Sequence, residues 1–169
     1  MPNGDSLDKR TGSRREIPLE RRISHRCKLA ACHESLMDTE TSRKIVLDYL
    51  AAQGRGDGEA MATLLADDVV WRPPQSADFG TPTGRDVVLS TMAEAGPKFF
   101  DLSTMKIEVK WVLAEGDKVV IRQSATAKAT NGRDYDNEYV WVYTCKDGQI
   151  SEIEEHVDSQ KFKEIVLDD

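Results

Sequence analysis

No stretch of this 169-residue chain holds the roughly 20 consecutive apolar residues that cross a bilayer. No charged segment followed by an apolar run and a cleavage site opens it either, so the expectation is a cytoplasmic protein that contacts no membrane. Cysteine is scarce: Cys27, Cys32 and Cys145 are an odd set, too few for a secreted disulfide framework, and reduced thiols follow. Cys27 and Cys32 with His33 fall short of the four paired ligands a structural zinc site uses. Phosphate loops, nucleophile elbows and metal-ligand spacings are all missing. Positive charge is also lacking, since the net charge is -7, and an acidic body disfavours nucleic acid as a partner.

That charge is unevenly spread. Residues 1–36 carry eight Lys or Arg against five Asp or Glu, and the remainder carries fifteen against twenty-five. The first 36 residues show no sustained period and are rich in Arg, Ser and Gly, so they are expected to form a disordered basic extension. Arg14-Arg15, Arg21-Arg22 and Arg26 would suit a targeting or polyanion-binding arm, but Glu16 and Glu20 count against it. Residues 37–169 are expected to form one domain, with Met37 a candidate natural start because periodic sequence begins there.

Ile45, Tyr49 and Leu50 mark a helix that Gly54 can stop, and Asp57 can cap a second helix carrying Met61, Leu64 and Leu65. A short strand, Val69-Val70-Trp71, ends at Pro73-Pro74, and a loop with Phe79, Pro82 and Gly84 leads to a third helix over Arg85 to Ala95. From Thr104 the period becomes two. Met105, Ile107, Val109, Trp111 and Leu113 line one strand, and Val119 to Thr130 returns after Glu115-Gly116-Asp117. Two more strands follow around Asn131-Gly132 and Lys146-Asp147-Gly148, and Ser159 to Val166 closes the chain as a helix with Asp158 as its N-cap. Helices ahead of an antiparallel meander predict an α+β fold whose curved sheet wraps the helices and encloses a pocket.

Period two also assigns faces. Tyr135, Asn137, Tyr139, Trp141 and Tyr143 leave one side of their strand. A two-residue Asn131-Gly132 turn places Ser124 opposite Tyr139 and Arg122 opposite Trp141, on that same face. A three-residue Lys146-Asp147-Gly148 loop puts Ile153, Glu155 and Val157 there too, with Glu155 opposite Tyr139. A two-residue Asp147-Gly148 turn would instead turn Glu154 and His156 inward. The preferred register makes Glu155, Arg122 and Tyr139 the candidate catalytic groups. Ser124, Asn137, Trp141, Ile153, Val157 and Trp71 are the candidate substrate contacts. Burial would raise the Glu155 pKa, and Arg122 would lower it.

From Thr39 to Val166 the chain resembles the SnoaL-like branch of the NTF2-like superfamily, which includes polyketide cyclases, ketosteroid isomerase relatives and limonene-epoxide hydrolase. The likeness rests on the early helices, the Gly84-Arg85-Asp86 helix start and the Tyr135-Asp136-Asn137-Glu138-Tyr139 strand. Asp147-Gly148-Gln149-Ile150 leading to Glu155-His156-Val157-Asp158 completes it. The resemblance implies a cone-shaped cystatin-like fold, a homodimer and a small hydrophobic ligand. It also implies proton-transfer chemistry on a carbonyl or polyketide-like compound, as in an isomerase or cyclase, with neither metal nor organic cofactor. Set against the Asp-Arg-Asp arrangement of limonene-epoxide hydrolases, Arg122 and Glu155 match while Ser124 replaces the acid, and Trp71 and Pro73 lie where the water-holding pair belongs. Tyr139 with Glu155 imitates part of ketosteroid isomerase's aspartate base and tyrosine oxyanion hole.

Three classes stay open: a cofactor-independent isomerase or cyclase, an epoxide hydrolase, and a binding or dimerisation module on the same cone. An enzyme should keep Glu155 on an open pocket, whereas a module would fill that space with Trp141 and Tyr139. Met105, Ile107 and Trp111 suggest a dimer contact on the outer sheet face.

Overall fold

The computed structural model describes residues 37–168; the expected basic extension, with Cys27, Cys32 and His33, lies outside them. Helix α1 spans Thr39–Gly54 because Asp38 accepts hydrogen bonds from the backbone N–H groups of Glu40 and Thr41, while Ser42, Ile45, Val46, Tyr49 and Ala52 recur on one buried stripe. Helix α2, Gly58–Leu64, starts where Asp57 accepts from the Ala60 N–H at 3.0 Å. It runs directly into strand β1, Leu65–Arg72. Helix α3 covers Arg85–Phe99, four residues beyond the expected end at Ala95. Pro97 removes one hydrogen bond near its C-terminus, but continuing the helix buries Phe99 against Phe79, Phe100 and Phe162, and that burial outweighs the loss.

Four long strands follow: β2 (Phe100–Glu115), β3 (Lys118–Ala129), β4 (Asp134–Lys146) and β5 (Gln149–Val157). They form an antiparallel meander, and β1 adds to its far edge parallel to β5, giving the order β1-β5-β4-β3-β2 in one curved, unclosed sheet. Helix α4, Ser159–Phe162, is capped by Asp158 as expected and loosens into a wider π turn over Lys163–Leu167. The α+β class and the cone expected from the sequence are both present. One hydrophobic cluster fills the space between α1, α2, α3 and the sheet; a second, around Phe99, Phe100, Tyr135 and Phe162, lies under α4.

The two hairpins exchange the loop lengths expected of them. Between β3 and β4, the Gly132 N–H bonds to the Ala129 carbonyl and the Ala129 N–H to the Arg133 carbonyl, so three residues, Thr130 to Gly132, make the loop. Gly132 adopts φ 86°, as the last residue of such a loop requires. Pairing therefore shifts by one: Gln123, not Ser124, faces Tyr139, and Ile121 faces Trp141. Arg122 and Ser124 turn to the convex side. The expected register would have exposed Val119 and Ile121, both fully buried here, and buried Arg122.

Between β4 and β5, Asp147 (φ 51°) and Gly148 (φ 82°) form a two-residue turn with Lys146 opposite Gln149. That parity alone would send Glu154 and His156 inward. A β-bulge restores the other face: Cys145 pairs with Ile150 and Thr144 with Glu152, leaving Ser151 as the extra residue. Ile150 and Ile153, three apart, are both fully buried as a result. Glu155 faces inward as expected, but opposite Trp141 instead of Tyr139.

A second bulge, at Lys110 in β2, splits the apolar stripe expected to form one outer face. Met105 and Ile107 line the concave side, while Trp111, paired with Arg122, and Leu113 lie exposed on the convex side.

Deleting Ser151 tests the bulge. With the extra residue gone, Ile150 and Glu152 become neighbours opposite Cys145 and Thr144, and the ladder runs on without a shift. Ile153 and Glu155 then keep their inward faces, and urea unfolding should show a loss of no more than about 1–2 kcal/mol. A loss of about 3 kcal/mol or more, as when Ile153 leaves the interior, would overturn the assignment.

Candidate functional site

A cavity of about 200 Å³ opens between the concave sheet face, α3 and the segment 73–79 that follows β1. Strand β4 supplies Tyr139, Trp141 and Tyr143, whose rings stack in a row: 6.1 Å between centroids at 12° for the first pair, and 6.4 Å at 22° for the second. Trp71 comes from β1, and Phe79 stacks on it at 5.9 Å. Lys98 covers the faces of Phe79 and Phe99 without lining the cavity itself. Strand β3 contributes Gln123 and Ala125, β2 contributes Met105 and Ile107, and Glu155 and Val157 come from β5. The wall is apolar and aromatic, with one carboxyl.

Of the residues expected at the site, Glu155, Tyr139, Trp141, Val157 and Trp71 meet on this cavity. Arg122 does not. It lies on the convex face with its side chain 47% exposed, paired to Glu138 at 3.0 Å, and Ser124 shares that face. Both were drawn inward by the two-residue turn assumed at Asn131-Gly132. Asn137 sits on the concave side but is spent on structure: its amide donates to the Asp158 carbonyl at 3.0 Å and its oxygen accepts from the Glu138 N–H, which ties β4 to the start of α4. Ile153 is core, packed with Trp71 and Tyr143 behind the cavity. His156 points to solvent.

Gln123 was missed. The signal that locates it was present in β3, where Val119, Ile121, Ala125 and Ala127 alternate with Lys118, Arg122 and Lys128. That alternation alone requires residue 123 to face inward.

Removing Arg122 from the cavity decides the electrostatics. No Lys, Arg or His is among the cavity residues, so burial dominates at Glu155 and pushes its pKa up to about 8. Protein surrounds the carboxyl on nearly all sides, although solvent still reaches it through the cavity mouth. The indole N–H of Trp71 pulls the other way, but it makes no hydrogen bond of ordinary geometry and offsets only part of the rise. The Tyr135 and Tyr139 hydroxyls share a hydrogen bond of 2.6 Å, and burial keeps both protonated far into the alkaline range.

A SnoaL-like domain model matches residues 46–153. The chain belongs to the SnoaL-like domain family. No curated protein matches it. Among solved structures, an NTF2-like protein of unknown function from Burkholderia pseudomallei K96243 shares 22% identity at a TM-score of 0.68, over 76% of this chain and 98% of that one. A structure named for ketosteroid isomerase, from Kribbella flavida DSM 17836, shares 25% at 0.59, over 72% and 80%. One named for a SnoaL-like polyketide cyclase, from Jannaschia sp. CCS1, shares 16% at 0.63, over 76% and 92%. The fold of this SnoaL-like domain is therefore NTF2-like.

A raised carboxyl pKa makes stability depend on pH. The folded state holds a proton on Glu155 that the unfolded chain releases near 4.5, so stability is full below that pH and is lost as pH rises to about 8. Relative to Glu155→Gln, the parent should lose up to about 5 kcal/mol across this window, less whatever hydration cavity water restores. Unfolding free energies of both proteins from pH 4 to 9 measure it, and a constant gap would contradict the burial of Glu155.

Proposed function

We propose that this SnoaL-like domain is a cofactor-independent acid–base enzyme of the isomerase or cyclase kind, in which Glu155 moves a proton on a small hydrophobic carbonyl or polyketide-like compound. The observation that carries this reading is a single carboxyl, brought near neutrality by burial, on an open and otherwise uncharged aromatic cavity. A carboxylate with a pKa near the working pH is well matched to removing a proton from carbon next to a carbonyl. Negative charge then develops on the carbonyl oxygen.

The donors offered to that oxygen on cavity residues are the hydroxyl of Tyr139 and, once the rings enclosing them shift, the indole N–H groups of Trp71 and Trp141. When Tyr135 donates to Tyr139, the Tyr139 proton is left for the ligand, and the chain of two hydroxyls strengthens the outer bond. Returning the proton from Glu155 to a second carbon gives an isomer; attack of the enolate carbon on another carbonyl within the ligand closes a ring. The names carried by the Kribbella flavida and Jannaschia structures lie in the same chemical territory. The open cavity favours this reading over a module that fills its own cone. The epoxide-hydrolase arrangement is disfavoured because Arg122 faces away from Glu155.

Screening enones and β-keto compounds would supply an assay. Glu155→Gln should lower turnover by about 100-fold or more while keeping the fold. In the parent, kcat/KM should rise with pH and level off above about 8, as a base that must first lose its proton requires. Arg122→Met should leave both rate and profile unchanged. A folded Glu155→Gln variant with full activity would end the proposal.

A further inference from the structure

Gln123 is a buried amide that the fold does not use. It lies in the middle of β3, between Val109 of β2 and Tyr139 of β4, and is only 7% exposed. Its side chain lines the cavity and makes no hydrogen bond to any described residue. Its amide is not among the fully enclosed polar atoms and so opens on the cavity, where a leucine of similar volume would fill the position with no polar group to hydrate. Gln53, the other amide on the cavity, is exposed on α1.

The unpaired polarity is concentrated here. Among the described residues, four side-chain polar atoms are enclosed without a partner, and three of them, Trp71 Nε1, Ser76 Oγ and Trp141 Nε1, belong to cavity residues. Two of those three are donors only, and the third can donate. A ligand rich in acceptor oxygen completes such a site. An anionic ligand does not, because no cation lines the cavity to compensate a carboxylate taken out of water. The stacked rings of Tyr139, Trp141 and Tyr143 offer their π-surface to a flat, conjugated molecule.

We infer that Gln123 is the specificity-determining residue of this cavity, and that the substrate is an uncharged aromatic or conjugated ketone whose carbonyl oxygen accepts a hydrogen bond from Gln123 Nε2. The inference rests on the reading of the cavity as the substrate site. It adds the charge and polarity of the substrate and the group that selects them. A conjugated acid or its carboxylate is rejected, and a hydrocarbon of the same shape binds less tightly because the amide stays unpaired.

Three probes of nearly the same shape separate these cases: 2-acetylnaphthalene, 2-methylnaphthalene and 2-naphthoate. Titration of each against the full chain, followed by tryptophan fluorescence, reads binding through Trp71 and Trp141 in the wall. The ketone should bind about tenfold more tightly than the hydrocarbon, the equivalent of one net hydrogen bond, and naphthoate most weakly. Gln123→Leu should lower ketone affinity about tenfold, to that of 2-methylnaphthalene, and leave the hydrocarbon unchanged or tighter. Its Tm should hold or rise, since no hydrogen bond within the protein is lost, whereas a structural role for Gln123 predicts a fall. Glu155→Gln should leave ketone binding intact, so failed recognition and failed catalysis give different results. Tightest binding of naphthoate, an equal loss of both neutral probes in Gln123→Leu, or no binding of any probe would each overturn the inference.

Discussion

The strand side chains on the cavity wall depend on one constraint, the period-two alternation of each strand and the parity with which two hairpins and a bulge pass it to the next. A loop longer or shorter by one residue turns a whole strand over. In β3 the three-residue loop ending at Gly132 brings the uncharged set inward: Val119, Ile121, Gln123, Ala125 and Ala127. In β5 the short turn at Asp147-Gly148 would have brought in Glu152, Glu154 and His156, and the bulge at Ser151 cancels that. The bulge thus exchanges two carboxylates and an imidazole for one carboxylate flanked by Ile153 and Val157.

The electrostatics follow from that geometry. A cavity wall with several charges would hold its carboxylates near their ordinary pKa through mutual compensation and hydration. Here the charged partners lie on the other side of the sheet, where Arg122 meets Glu138 and Arg72 meets Glu152. Those exposed pairs contribute little to stability. Their larger consequence is that the cavity keeps no cation, so nothing counters the desolvation of Glu155. A buried group of this kind is a cost to folding, and its placement on an open cavity is the arrangement expected when function and stability compete.

Much of this was legible in the sequence. Helix positions and the antiparallel meander followed from local signals, though not the parallel pairing of β1 with β5, and Asp38, Asp57 and Asp158 each accept the hydrogen bonds of a helix start. Of these, Asp57 and Asp158 were anticipated. The face of Glu155 was also anticipated, although two compensating differences, a shorter turn and a bulge, lie behind it. What the turn motifs concealed was parity in β3. Asn131-Gly132 is a strong signal for a two-residue turn, but Thr130 joins the loop because the apolar alternation of β3 must face the core, and burying Val119 and Ile121 outweighs a local turn preference. Weighing that alternation above the turn motif would have exchanged Arg122 for Gln123. A bulge such as the one at Ser151 has no comparable local signature, and its position emerges only when the turn and the buried residues Ile150 and Ile153 are considered together.

The chemistry of the cavity turns on Glu155 titrating as a buried carboxyl without a counter-charge. A carbon-detected NMR titration of the glutamate side-chain carboxyls measures this directly, with Glu155→Gln identifying the resonance. The expected result is a glutamate signal titrating near pH 8 that is absent from the variant. A Glu155 signal that titrates at the ordinary value of a solvated glutamate, roughly 4 to 5, would rule that burial out.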